Sequence, residues 1–134
     1  MGEALNGFER LLGNDGSPWF EHNLELAGEA LNEFSSAEWR NLQSRVLSFS
    51  ACVQERCTEA VGAFGTSDGI GVLTTLLVSS PHFDVAVIAA SQLDDMETAL
   101  PASLRGRLQA ILDQLTARRS TRAGDVQRLL SHLC

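Results

Sequence analysis

Apolar residues recur every three to four positions along nearly the whole chain, which is the spacing of one face of an α-helix. A clear example in the last third of the sequence is the row Leu104, Leu108, Ile111 and Leu115. No segment alternates between apolar and polar residues with turn residues at both ends, as a half-buried strand would. The sequence therefore predicts an all-α fold of seven or eight helices with no sheet.

Turn and capping residues divide this pattern into separate helices. Ser35 and Glu38 fit a capping box, in which each side chain accepts a hydrogen bond from the backbone of the other residue. A turn is predicted at residues 14–18, a bend near 48–50, and an N-cap of the sixth helix at Asp84. In a single domain of 134 residues, the predicted units are N-terminal capping helices over 1–34 and helical hairpins over 36–64, 68–96 and 102–133.

The net charge of −7 is distributed unevenly along the chain. Residues 1–100 carry 15 acidic side chains and 4 Arg, whereas residues 101–134 carry 2 acidic side chains and 6 Arg, and there is no Lys. An acidic chain is a poor binder of nucleic acid, because that affinity comes mainly from neutralising phosphates. A basic protein is the partner that this charge favours. The C-terminal Arg residues either complement the acidic part, lie near helix C-termini or contribute to function.

Four glutamates follow one another at four-residue intervals in the second helix, with no Arg or Lys four residues from any of them. Like charges at this spacing destabilise a helix by roughly 0.2–0.5 kcal/mol per pair. The row is either a solvated helix face or a surface whose repulsion a basic partner relieves. We predict an acidic partner-binding surface formed by Glu21, Glu25, Glu29 and Glu33 together with Glu55, Glu59, Asp94 and Asp95.

The sequence contains no recognisable catalytic, metal-binding or cofactor-binding motif. The histidines are far apart, the three cysteines include no Cys-x-x-Cys pair, and Cys57 lies on the predicted buried side of its helix. Neither a phosphate-binding loop nor a nucleophile elbow is present. No apolar run approaches the roughly 20 residues that span a bilayer. We therefore expect a cytoplasmic, non-enzymatic protein with no cofactor and no membrane partner, and its oligomeric state stays open.

The fourth and sixth predicted helices can be superimposed at an offset of 32 residues. The paired positions are Val53 with Val85, Cys57 with Ala89, and Val61 with Leu93. With its small residue in the second helix and its "SPHFDVAVIAA" turn, the segment "VQERCTEAVGAFGTSDGIGVLTTLLVSSPHFDVAVIAASQLDDM" resembles the HEAT-like α-helical repeat family. The resemblance covers about residues 38–96 and extends more weakly over 102–133. It implies a short array of about three helical hairpins with a shallow curved binding surface.

As a short, acidic, all-helical chain, the sequence also resembles in overall type the immunity proteins of bacterial polymorphic or contact-dependent toxin systems. This resemblance implies a protein that binds and occludes a cognate basic toxin domain, with acidic side chains steering the encounter. Two alternatives stay open: a general HEAT-like adaptor or regulatory protein, and a small HEAT-type lyase subunit. DNA glycosylases of HEAT type need a basic groove, which the charge of residues 1–100 contradicts.

Overall fold

A computed structural model describes residues 2–13, 19–64 and 66–134, and within these ranges it contains eight α-helices and no strand. The all-α prediction is confirmed, whereas the turn predicted at 14–18 lies outside the described residues. Short 3₁₀ or π-helical turns precede α2, α5 and α7 and follow α3. The helices are α1 (Glu3–Leu12), α2 (Leu24–Asn32), α3 (Ser36–Arg45), α4 (Ala51–Phe64), α5 (Ile70–Ser79), α6 (Phe83–Asp95), α7 (Arg105–Ala117) and α8 (Ala123–Ser131).

The even-numbered helices form a row in which α2 contacts α4, α4 contacts α6, and α6 contacts α8. α4 and α6 run in the same direction. Ala51 and Asp84, in their first turns, line one cleft, and Gly62 near the end of α4 lies against Gln92 near the end of α6. Among the odd-numbered helices, α1 contacts α3 and α3 contacts α5. α1 packs on α2, α5 on α6 and α7 on α8, whereas α3 packs mainly on α5 and on the 3₁₀ turn at Val46–Ser48.

The core lies between these two sets of helices. Cys57 and Ala89, paired at the offset of 32, are both fully buried, and so are Val61 and Leu93. Val53 is only half-buried, although the residue 32 positions later is buried. The small side chains in the middle of α4 and α6 let these helices approach closely.

The predicted capping box begins α3. Glu38 N–H donates to Ser35 Oγ at 3.2 Å, and Ser35 N–H donates to Glu38 Oε1 at 3.1 Å. The rings of Phe34 and Trp39 pack edge to face with centroids 5.0 Å apart. Glu38 also accepts a hydrogen bond from Leu5 N–H at 2.8 Å. The local motif thus starts one helix and also holds the first turn of α1 against it.

Two other predicted features have different outcomes. The bend is confirmed, because α3 gives way to a 3₁₀ turn at Val46–Ser48 and Phe49 is extended. The N-cap prediction is wrong, because the N-cap is His82, two residues before Asp84, and α6 begins at Phe83. The Ser80 hydroxyl accepts a hydrogen bond from His82 N–H. Asp84 therefore lies within the first turn, where a negative charge is favourable.

Gly69, directly before α5, has no room for a side chain. An added Cβ would lie 2.5 Å from Cγ1 of Val61, which is fully buried and belongs to a stiff β-branched side chain. We expect Gly69→Ala to lower the free energy of unfolding by about 1–3 kcal/mol in urea denaturation. Gly106→Ala is the matched control, because a Cβ at Gly106 meets nothing within 4 Å, and it is expected to stabilise by about 0.5 kcal/mol. Equal stabilities for the two variants would contradict this packing argument.

Candidate functional site

The second helix presents an exposed acidic face. The side chains of Glu25, Glu29 and Glu33 are exposed, and no described residue forms an ion pair or side-chain hydrogen bond with them. We call these three residues the α2 acidic face. The side chain of Glu21, the fourth member of the predicted row, lies outside the described part of the chain. The three described carboxylates are thus available to a partner.

Glu59 differs from these residues because it is partly buried and already has a hydrogen-bond partner. The Trp19 indole N–H donates to Glu59 Oε2 at 2.7 Å. Burial raises the pKa of Glu59, and the Trp19 hydrogen bond and nearby Arg56 oppose that rise only in part. Glu59 was predicted as a member of the partner-binding surface, but the structure places its carboxylate in a contact that joins Trp19 to α4.

Asp94 is also engaged within the chain, whereas its neighbour Asp95 is exposed. Arg128 of α8 donates to Asp94 Oδ2 through Nη2 at 2.9 Å and through Nε at 3.0 Å. These hydrogen bonds raise the pKa of Arg128 further above its usual value. The same guanidinium group pairs with Asp125. At this position a C-terminal arginine therefore complements the acidic part of the chain and ties α8 to α6.

Glu55 lies at the centre of a groove that crosses α4 and α6. Three adjoining clefts share this residue, and the one between α6 and the α7–α8 turn has a volume of about 300 Å³. We call the surface that they form the Glu55 groove. It is lined mainly by Trp19, Cys52, Glu55, Phe83, Asp84, Val87, Ile88, Leu115, Arg118 and Arg122.

Two of the arginines that line the Glu55 groove, those at the α7–α8 turn, are held by neighbouring side chains. The guanidinium carbon of Arg118 lies 4.5 Å from the centroid of the Phe83 ring, in a cation–π contact. Arg122 Nη1 donates to Ser91 Oγ at 2.9 Å. The Ser91 hydroxyl in turn donates to Asp125 at 2.7 Å. These contacts fix both positive charges at the edge of the groove that the α7–α8 turn forms.

Two carboxylates of the same groove, those of Glu55 and Asp84, lack such contacts. Glu55 and Asp84 are both exposed, and no hydrogen bond or ion pair joins their carboxylates to another described residue. Beside them, Val87 and Leu115 are 5% and 3% exposed and form an apolar floor. The groove therefore combines two free negative charges with aliphatic surface.

Sequence reasoning included Glu55 in the binding surface but not its neighbours in the groove. Asp84 was interpreted as a helix cap, and the C-terminal arginines were treated as one cluster. The SPHFD segment contains Phe83 and Asp84, and its position before an apolar helix indicates a packed turn. No local signal relates that turn to Arg118, because Phe83 and Arg118 are 35 residues apart in sequence and meet only where the α7–α8 turn lies beside the start of α6.

The described residues show no constellation for metal binding or nucleophilic chemistry. No group of three or more His, Cys, Asp or Glu side chains converges among them. Cys57 is buried, and burial raises the pKa of its thiol to about 12, which disfavours the thiolate at neutral pH. Of the helices in the described ranges, none is both long and apolar enough to cross a bilayer.

No protein-family model, no curated protein and no solved structure matches this chain. The α2 acidic face and the Glu55 groove are therefore the features of the molecule from which we infer its function.

Proposed function

We propose that this protein is a non-enzymatic binding module that neutralises a basic bacterial toxin domain in the cytoplasm, as immunity proteins do. Its surface would meet the toxin through acidic side chains and block the toxin's own site. The observation that carries this proposal is the α2 acidic face, whose three carboxylates are exposed and lack a cationic partner among the described residues.

The like-charge repulsion along α2 supports a binding role. Glu25 and Glu29 repel each other along one helix, and so do Glu29 and Glu33, at roughly 0.2–0.5 kcal/mol per pair. The chain has arginines that neutralise acids elsewhere, as Arg128 does at Asp94 and Arg45 does at Glu9. A basic partner would relieve the repulsion on α2 and gain a fast, electrostatically steered association.

The resemblance of residues 38–96 to HEAT-like repeats leads to the related proposal that the chain is a short HEAT-like array. Hairpins α3–α4, α5–α6 and α7–α8 would be its units, and α1 and α2 would cap one end. The row from α2 to α8 would then form a single continuous surface. On this view the α2 acidic face and the Glu55 groove both belong to the surface that receives the partner.

A toxicity rescue tests the proposal directly. The product of the neighbouring gene would be expressed alone and together with this protein, and growth would be measured. Rescue of growth, with the two proteins purifying as one complex, supports the immunity function. If the neighbouring product is harmless, or if it kills equally in the presence of this protein, the toxin proposal is wrong. A stable complex without toxicity would instead favour an adaptor.

Charge variants on α2 provide a quantitative test within such a complex. We expect Glu25→Gln with Glu29→Gln to lower the affinity about threefold to tenfold at low salt, because each exposed charge pair contributes about 0.2–1 kcal/mol. Most of the loss should lie in the association rate and should shrink at high salt. Binding kinetics measured at two salt concentrations would show both effects.

The matched control changes the net charge equally at another place. Gln114→Lys with Gln127→Lys, at exposed positions of α7 and α8, also raises the net charge by two. It should affect binding much less than the α2 pair. If both double variants weaken the complex equally, only the net charge matters, and the α2 acidic face is not the binding surface.

A further inference from the structure

We propose that one part of the Glu55 groove is a pocket for a single arginine or lysine side chain of the protein partner. This inference rests on the proposed function, because it takes a basic protein as the occupant. It adds the place where the partner is anchored, which the exposed α2 acidic face does not provide. The pocket is the part of the groove between α4, α6 and the α7–α8 turn, with a volume of about 300 Å³.

The shape and lining of this pocket fit a long side chain with a charged end. Val87 and Leu115 form an apolar floor, and Ile88 is half-buried beside them. The aliphatic stem of arginine or lysine covers apolar surface while its charged group stays in contact with water or acidic side chains. An acidic side chain of the partner has a shorter stem and would leave more of this floor uncovered.

The charges around the pocket favour a cation over an anion. Arg118 is placed over the Phe83 ring, and Arg122 donates to Ser91, so both guanidinium groups already have contacts. The carboxylates of Glu55 and Asp84 have none among the described residues. A guanidinium or ammonium group would gain charge-assisted hydrogen bonds from these free carboxylates, whereas an anion would be repelled by them.

Titration with short capped peptides tests the pocket without the natural partner. The probe is N-acetyl-Gly-Arg-Gly-amide, added to the full-length ¹⁵N-labelled protein and followed by NMR. The matched probes contain citrulline, which has nearly the same shape without the charge, or glutamate in place of arginine. We expect saturable shifts at the backbone amides of Glu55, Asp84 and Ile88. Binding should weaken at least about threefold with citrulline and be absent with glutamate.

Variants at the two carboxylates show whether the arginine peptide binds in the pocket. Glu55→Gln and Asp84→Asn should each weaken binding of the arginine peptide about threefold, and together they should abolish it. Glu3→Gln removes the same charge at an exposed position outside both the pocket and the α2 acidic face, and it should leave peptide binding unchanged. Thermal unfolding of each variant would show that the fold is retained. Shifts outside the groove, equal binding of arginine and citrulline, or preference for glutamate would overturn the proposal.

The pocket proposal and the toxin proposal can be disproved independently of each other. If the arginine peptide binds in the groove but no neighbouring product is neutralised, the pocket stands and the toxin proposal is wrong. If toxicity is rescued equally well by the Glu55→Gln and Asp84→Asn double variant, and the arginine peptide does not bind, the pocket is wrong and the immunity function stands.

Discussion

Replacing Gln54 with alanine is expected to lower the free energy of unfolding by about 3 kcal/mol, the largest effect that we predict for a single polar residue. Gln54 is fully buried in α4. Its amide nitrogen donates to the carbonyl of Phe49 at 3.0 Å and to that of Leu47 at 3.3 Å. Its amide oxygen accepts a hydrogen bond from Ser80 Oγ at 2.7 Å. One side chain thus fastens the turn before α4 to the turn before α6.

The alanine variant would remove these hydrogen bonds from groups that are buried or partly buried. Two backbone carbonyls and the Ser80 hydroxyl would lose hydrogen bonds, and each buried group left unpaired costs about 1–3 kcal/mol. The volume of the lost amide would leave a cavity as well. Because Arg107 also donates to the carbonyls of Leu77 and Ser80, the damage should extend to the contact between α5 and α7.

Urea denaturation would measure this loss, with Gln114→Ala in α7 as the control. Gln114 is exposed, and its replacement should change stability by no more than about 0.5 kcal/mol. Ser80→Ala should be destabilising by itself and less than additive with Gln54→Ala, because the two variants remove one shared hydrogen bond. Additive losses would contradict the proposed contact, and so would a Gln54→Ala variant as stable as the control.

The features that sequence reasoning predicted are those that depend on neighbours in the chain. The capping box of Ser35 and Glu38 spans three residues, and its partners are fixed by the geometry of one helical turn. The apolar spacing predicts the helices for the same reason, because it depends on residues three or four positions apart in the chain. The N-cap of α6 is His82, two residues before the predicted Asp84, because the Ser80 hydroxyl stabilises the preceding turn and shifts the start of α6.

The features that sequence reasoning did not predict depend on which helices pack together. Asp94 has its partner in Arg128, 34 residues away, and Glu59 has its partner in Trp19, 40 residues away. A helical pattern places such acids outside the core, but it does not show which side chain of another helix lies opposite. The Glu55 groove has the same origin, because its lining comes from α4, α6 and the α7–α8 turn.

Replacing Glu38 with glutamine is expected to lower the free energy of unfolding by about 2 kcal/mol at neutral pH. Glu38 is 8% exposed, and its two carboxylate oxygens accept hydrogen bonds from the backbone N–H groups of Ser35 and Leu5. The amide of glutamine has one oxygen, so one of the two N–H groups would face an NH₂ group. The variant should therefore loosen α1 from the start of α3.

The same contact should make stability depend on pH, in a direction that the variant can check. The hydrogen bonds from the backbone of Ser35 and then of Leu5 lower the pKa of Glu38 below its usual value of 4.5. A carboxylate with a lowered pKa in the folded state stabilises fully above its unfolded pKa, and this contribution is lost as the pH falls through the folded pKa. The difference in the free energy of unfolding between the native chain and Glu38→Gln should thus be constant near neutral pH and shrink in acid. Gln114→Ala, which removes no titratable group from an exposed position, should show no such change. A gap for Glu38→Gln that stayed constant in acid would mean that ionised Glu38 does not hold α1 in place.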